Sequence, residues 1–143
     1  MHPRIEAARR GENPTVILRM PSGWAVLADW QFLPGYTILL ADPQVPDLHT
    51  LGQDERQLFL RDMSLIGESL MEVTDGYRIN YQILGNYDPI LHAHVTPRYE
   101  WEEPRLREGP TAHYDKSGGP MFDPVRDESL MGRIRQAIKK RLA

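Results

Sequence analysis

The chain contains no cysteine. Disulfides, thiolate zinc sites and cysteine nucleophiles are therefore excluded, and the absence fits a reducing compartment. Long apolar runs are missing as well. No stretch approaches the roughly 20 apolar residues that span a bilayer, and "MHPRIEAARRGENP" lacks the apolar region of a secretory signal. A cytoplasmic location with no membrane contact is expected. Charge of one sign is also scarce: 17 Lys and Arg stand against 20 Asp and Glu, a net charge of −3. A sequence-independent nucleic-acid binder would normally be basic, so no nucleic-acid partner is expected. The most basic stretch, "GRIRQAIKKRLA", follows Met131 and places Ile134, Ile138 and Leu142 at helical spacing. It reads as a terminal helix with a solvated face and cations at its C-terminal dipole. There is no internal repeat.

What is present suits one soluble domain. The 143 residues are 41% apolar and 26% charged, enough for a single core. Residues 3–10 read as a short helix closed by Gly11 and Pro14. "TVILRM", "PSG" and "WAVLAD" read as strand, turn and strand, a hairpin, and "YTILLAD" as a third strand. Thr50 and Gln53 have capping-box spacing, which predicts a helix running to about Val73. Phe59, Met63, Ile66 and Leu70 would form its buried stripe. "YRINYQIL" and "ILHAHVTP" read as the fourth and fifth strands. Residues 100–122 are rich in proline, glycine and charge, and a stretch that long without structure is expected to be mobile or functional. Asp123 as N-cap and Pro124 as first helical residue predict a C-terminal helix over 123–142. The order implies an α+β domain spanning 1–143, with an antiparallel five-stranded sheet, one long helix and a C-terminal helix.

"GNYDPILHAHVTPRY" holds two of the five histidines one residue apart. On a strand, alternate side chains share a face. Leu91, Ala93 and Val95 would then face a core, and Ile90, His92, His94 and Thr96 the other side. Three readings compete. Two ordinary histidines are the plainest. A zinc site would need a third ligand, for which His49, His113 and Asp88 are candidates that nothing in the sequence positions. Covalent catalysis is the third: a neutral imidazole attacks phosphorus well and gives a labile phosphoramidate, while the second imidazole steadies charge on the phosphoryl oxygens.

"NYQILGNYDPILHAHVTPR" resembles the signature of the histidine triad superfamily of nucleotide hydrolases and transferases. The likeness is to a bacterial, diadenosine polyphosphate hydrolase-like branch, whose segment has the form N-Y-x-x-L-G-N-x-x-P-H-x-H-x-H-x-x-P-R. Asn80, Tyr81, Leu84, Gly85, Asn86, Pro89, His92, His94, Pro97 and Arg98 fall in register. Upstream, "WAVLADWQFLPGYTILLADP" is similar to the family's ribose-binding strand and the strand after it. The first triad position is Ile90. With Pro97 and Arg98 setting the register, His92 matches the family's nucleophile and His94 its phosphate-contacting partner. A shifted register would make His94 the nucleophile but would displace Pro89, Pro97 and Arg98.

The resemblance implies further roles. Asp29 sits where the family binds ribose hydroxyls, which a carboxylate accepts well; it is equally a strand-end turn former. Asn80 and Asn86 correspond to amides on the phosphate and leaving-group side, although Asn86 after Gly85 would also shape a turn. Arg98 is placed to reach a distal phosphate or to pair with Glu100 or Glu102. Trp24, Leu27, Phe32 and Leu33 are candidates for the base slot or for core. His2 and His49 look solvent-exposed. The implied activity is nucleotidyl hydrolysis through nucleotidyl-His92, with dinucleoside polyphosphates first among substrates. Nucleoside phosphoramidates, or a nucleotide-binding module weakened in catalysis by Ile90, are the alternatives. No cofactor or metal is required for the covalent step, though Mg²⁺ often accompanies polyphosphates. A homodimer is implied.

Overall fold

A computed structural model describes residues 2–115 and 117–143. Five antiparallel strands form one sheet in the order β1-β2-β3-β5-β4. They are β1 (Val16–Met20), β2 (Gly23–Leu27), β3 (Thr37–Ala41), β4 (Arg78–Gln82) and β5 (His92–Arg98). The β1–β2 hairpin turns tightly, and its Gly23 is obligatory because a Cβ there would lie 2.0 Å from Leu40 O. Asp62, fully buried, receives the Ser22 amide (2.9 Å) and hydroxyl (2.6 Å) and so pins the turn to the long helix α2 (Gln53–Val73).

The period-2 pattern sorts the sheet into two faces. On one, Ala25, Leu39 and Ala93 are cross-strand neighbours. They pack with Phe59, Ile66 and Leu70 of α2 and with Ile134 and Ile138 of the helix α4 (Glu128–Leu142). Met63 of the expected stripe is only half-buried, packed against this core. On the other face Val26, Leu40 and Ile90 meet Ile5, fully buried, of the N-terminal helix α1 (Pro3–Arg9). Arg9 fixes the far end of α1 through Asp42, which also accepts from Trp24 Nε1 at 2.8 Å. The hydrogen bonds from Arg9 hold the Asp42 carboxyl below its ordinary value.

Two helix starts differ from the sequence pattern. The Thr50–Gln53 capping box does not form: Asp47 Oδ1 takes both the Thr50 amide (2.9 Å) and hydroxyl (3.0 Å), and Gly52 is the N-cap of α2. A nearby carboxylate is the stronger acceptor, so it captures Thr50 for a short turn of its own. The C-terminal helix begins at Glu128, not at 123. Asp123 accepts from the amides of Val125 (2.8 Å) and Arg126 (2.9 Å), which closes a separate turn before the helix.

Residues 100–122 carry the helix α3 (Pro104–Arg107) and a turn at Thr111–His113; Lys116 lies outside the described residues. The segment returns beside the strand ends, where the Gln31 amide donates to Pro120 O (2.7 Å) and the Phe122 amide to Asp29 O (2.6 Å). No helix among the described residues is long and apolar enough to cross a membrane.

Candidate active site

A cavity of about 460 Å³ opens on the face of the sheet away from α2. Its floor follows from strand register. Leu40 lies opposite His92 and Ile38 opposite His94 on β3–β5, and Val26 lies opposite Ile38 on β2–β3. Two imidazoles therefore stand beside an apolar floor of Val26, Ile38 and Leu40, the surface against which a nucleobase packs well. The base-slot candidates separate. Trp24 packs against this smaller apolar cluster. Leu27 and Leu33 are fully buried and do not line the cavity. Phe32 packs against Tyr36 and Tyr114, with ring centroids at 5.9 and 4.9 Å.

His92 is oriented by its own strand. Its Nδ1 lies 2.7 Å from Ile90 O. A carbonyl only accepts, so Nδ1 carries the proton and Nε2 of the neutral ring keeps its lone pair. The contact uses the backbone of residue 90, which any side chain supplies. The Ile90 side chain turns into the cluster with Ile5 and Leu40 and is 6% exposed. His94 lies next to His92, with ring centroids 4.9 Å apart at 71°. Its Nδ1 is 2.5 Å from the hydroxyl of Tyr36.

Asp29 and Asn86 line the same cavity. Asn86 is exposed, and its side-chain amide makes no hydrogen bond among the described residues. Asp29 is held by Arg4 across both carboxylate oxygens, with Arg4 Nη1 3.1 Å from Oδ1. Each oxygen retains a lone pair for a ligand hydroxyl.

Asn80 and Arg98 lie elsewhere. Alternation keeps Arg98 on the histidine face, but four residues of strand carry it about 13 Å past His94. There its guanidinium, 3% exposed, pairs with Glu102 at 2.8 Å. It also donates to Asn80 Oδ1 (2.7 Å), Gly109 O (2.7 Å) and Leu106 O (2.8 Å). Of the two roles open to Arg98 in the sequence, the structure places it in the ion pair with Glu102, and Asn80 accompanies it.

The short helix expected over 3–10 forms as α1, but its place beside the cavity was not foreseen, and His2, expected to be solvent-exposed, is not. His2 is only 20% exposed and lines the cavity with Arg4. His2 Nε2 lies 3.4 Å from Asp88, and its Nδ1 accepts from the Arg4 amide at 3.2 Å. The usable signal was local: His2-Pro3 opens a helix whose Ile5 and Ala8 form an apolar edge that must dock somewhere. Of the further metal-ligand candidates, Asp88 alone reaches the cavity; His49 and His113 are exposed elsewhere. Among the described residues no three His, Asp or Glu side chains are grouped to hold a metal ion.

The sequence matches no family profile and no curated protein. Solved structures do match over nearly the whole chain. A histidine triad protein from Marinobacter aquaeolei superposes with a TM-score of 0.77 at 21% identity, covering 98% of this chain and 96% of that one. A histidine triad (HIT) protein from Sinorhizobium meliloti gives 0.75 at 21%, with 90% and 93% covered. A hypothetical histidine triad nucleotide-binding protein from Sulfolobus tokodaii gives 0.73 at 13%, with 95% and 91% covered.

Proposed function

The fold is that of histidine triad proteins, and with it as premise we propose that this chain is a nucleotidyl hydrolase acting on dinucleoside polyphosphates. The observation that carries the reading is the 2.7 Å contact of His92 Nδ1 with Ile90 O, which frees Nε2 as a nucleophile in a cavity shared with His94. The base packs on Val26, Ile38 and Leu40, and the ribose hydroxyls reach Asp29. His92 Nε2 forms a bond to the α-phosphorus while the bond to the bridging oxygen breaks, and the departing nucleotide takes that electron pair. Water then attacks the nucleotidyl-imidazole, releasing a nucleoside monophosphate and restoring His92. His94 steadies the phosphoryl oxygens as charge develops. The step needs no resident metal because the imidazole is already a competent nucleophile at phosphorus; Mg²⁺ would arrive as counter-ion of the polyphosphate. Asn86, whose side chain makes no hydrogen bond among the described residues, is the donor we assign to the leaving-group side. Adenylyl phosphoramidates are the second substrate class for the same chemistry.

Ile90 favours a second reading, a nucleotide-binding module slowed in turnover, since no third imidazole stands at that position. Intact-mass spectrometry after a rapid acid quench with diadenosine tetraphosphate separates the two. A transient adenylyl adduct on the protein, with turnover, is expected. Nucleotide binding by calorimetry without adduct or turnover would establish the module instead.

The same reading implies a homodimer. β4 is an edge strand with Tyr77 and Tyr81 exposed on it or beside it, and edge strands call for cover. Light scattering should return twice the mass of one chain, and Tyr81→Lys should halve it. A wild-type mass of one chain would refute the assignment.

A further inference from the structure

The hydroxyl of Tyr36 lies 2.5 Å from His94 Nδ1. Tyr36 leads into β3 and is 8% exposed, with Phe32 edge-on against its ring at 5.9 Å. Two arrangements satisfy the distance: Tyr36 donates to an unprotonated Nδ1, or Nδ1–H donates to the phenol oxygen. The second leaves the phenolic proton without an acceptor, because His94 is the sole hydrogen-bond partner of this hydroxyl among the described residues. An unmade hydrogen bond at a buried hydroxyl is costly, so the first arrangement wins while His94 is neutral. Burial also raises the phenol to about 12, so the donor keeps its proton across the physiological range.

We propose that Tyr36 is a positioning residue that holds His94 as the tautomer bearing its proton on Nε2, opposite to the tautomer that Ile90 O imposes on His92. The two adjacent rings then differ in what they offer the cavity they line. His92 presents a lone pair, and His94 presents a hydrogen-bond donor. An anionic oxygen bound between them meets the donor, while the lone pair is left for an electrophilic centre attached to that oxygen. Neither ring needs a charge for this, and the division requires that the two Nδ1 atoms face partners of opposite character. A backbone carbonyl and a phenol supply it.

The tautomer itself is independent of the hydrolase reading, and only its catalytic consequence rests on that reading. Long-range ¹H–¹⁵N correlation spectra of the nucleotide-free protein test it directly, with the His94 ring assigned by its loss in His94→Gln. The wild type should show His94 Nδ1 as the unprotonated, hydrogen-bonded nitrogen and Nε2 as the protonated one, with the reverse pattern for His92. Tyr36→Phe keeps the ring against Phe32 and should move His94 Nδ1 toward a nitrogen without a donor, or average the two tautomers. In the diadenosine tetraphosphate assay it should lower kcat about tenfold with little change in KM, the usual scale for removing a group that orients a site imidazole. A protonated Nδ1 on wild-type His94, or an unchanged His94 spectrum in Tyr36→Phe, would overturn the proposal whether or not the protein turns over substrate. An altered spectrum with unchanged kcat would overturn its catalytic part alone.

Discussion

His92→Ala is expected to lower turnover of diadenosine tetraphosphate by about four to six orders of magnitude, the scale on which covalent catalysis fails when its nucleophile is removed. The adenylyl adduct should vanish with it. On the proposed mechanism His94→Ala should cost less, about 10²- to 10³-fold, because it would remove the group assigned to steady charge and leave the assigned nucleophile in place. Neither loss should come from unfolding. Both rings are partly exposed at the cavity, and His92 gives up only its bond to Ile90 O. Urea denaturation should therefore find His92→Ala within about 1 kcal/mol of the wild type, and His94→Ala, which strips the buried Tyr36 hydroxyl of its partner, less stable by about 1–3 kcal/mol yet still folded. The ranking of the two variants is the decisive feature. If His94→Ala were the more damaged and His92→Ala kept its adduct, the nucleophile would be His94 and the alternative register of the motif would be correct.

Ile90→His completes the sequence motif, yet the packing argues against a simple gain. Ile90 is 6% exposed in a cluster with Ile5, Val26 and Leu40. An imidazole there would be buried against Ile5, Val26 and Leu40, none of which offers it a side-chain hydrogen bond, and such burial is costly. What residue 90 gives His92 in this chain is its carbonyl, and that is already present. Isoleucine at 90 and the docking of α1 through Ile5 are thus two parts of one arrangement. The helix that Ile90 receives is the one that delivers His2 and Arg4 to the cavity.

The legible parts of the sequence were those where a side chain's place follows from periodicity. Alternation over 90–96 put His92 and His94 on one face and Ala93 and Val95 in the core, as the β3–β5 register has it. Helical spacing identified Phe59, Ile66 and Leu70 as buried residues of α2. Alternation assigns a face but not a distance along it, and Arg98 shows the difference: it shares the histidines' face and stands beyond the end of their cavity. Contacts distant in sequence were equally hidden. Arg4 meets Asp29 across 25 residues, and no local pattern specifies that a short N-terminal helix should cover the sheet there. The helix starts failed for another reason. At Thr50 and Asp123 the acceptor was recognisable, but a competing turn nearby used it first.

Glu102→Gln is expected to be the most destabilising of the conservative substitutions, by about 3–5 kcal/mol, the cost of stripping one partner from a buried ion pair. Glu102 is fully buried at its carboxylate and receives three groups at once: the Arg98 guanidinium, the Tyr99 amide (2.6 Å) and the Tyr114 hydroxyl (2.5 Å). Glutamine keeps the shape and one acceptor oxygen. It leaves the Arg98 charge, 3% exposed, with only neutral partners in Asn80 and the backbone carbonyls of Leu106 and Gly109. Because Arg98 and Glu102 tie β5 to residues 104–114, the same change should loosen that segment first. Urea denaturation gives the total, and hydrogen exchange at the amides of 104–114 gives the local share. Arg98→Met combined with Glu102→Gln should cost clearly less than the two single changes summed, since the pair leaves together. Acid should act as the substitution does. Burial alone would raise the Glu102 carboxyl, but the bonds from Arg98, Tyr114 and the Tyr99 amide outweigh it and hold it below its ordinary value. A carboxyl depressed in the folded state contributes stability that is complete above its unfolded value, about 4.3, and that is lost as pH falls through the lower folded value. Between neutrality and about pH 5 the pair should therefore contribute in full. Below that the wild type should lose stability more steeply than Glu102→Gln, until the two converge. Parallel acid profiles for the two proteins would show that this carboxylate is not what Arg98 depends on.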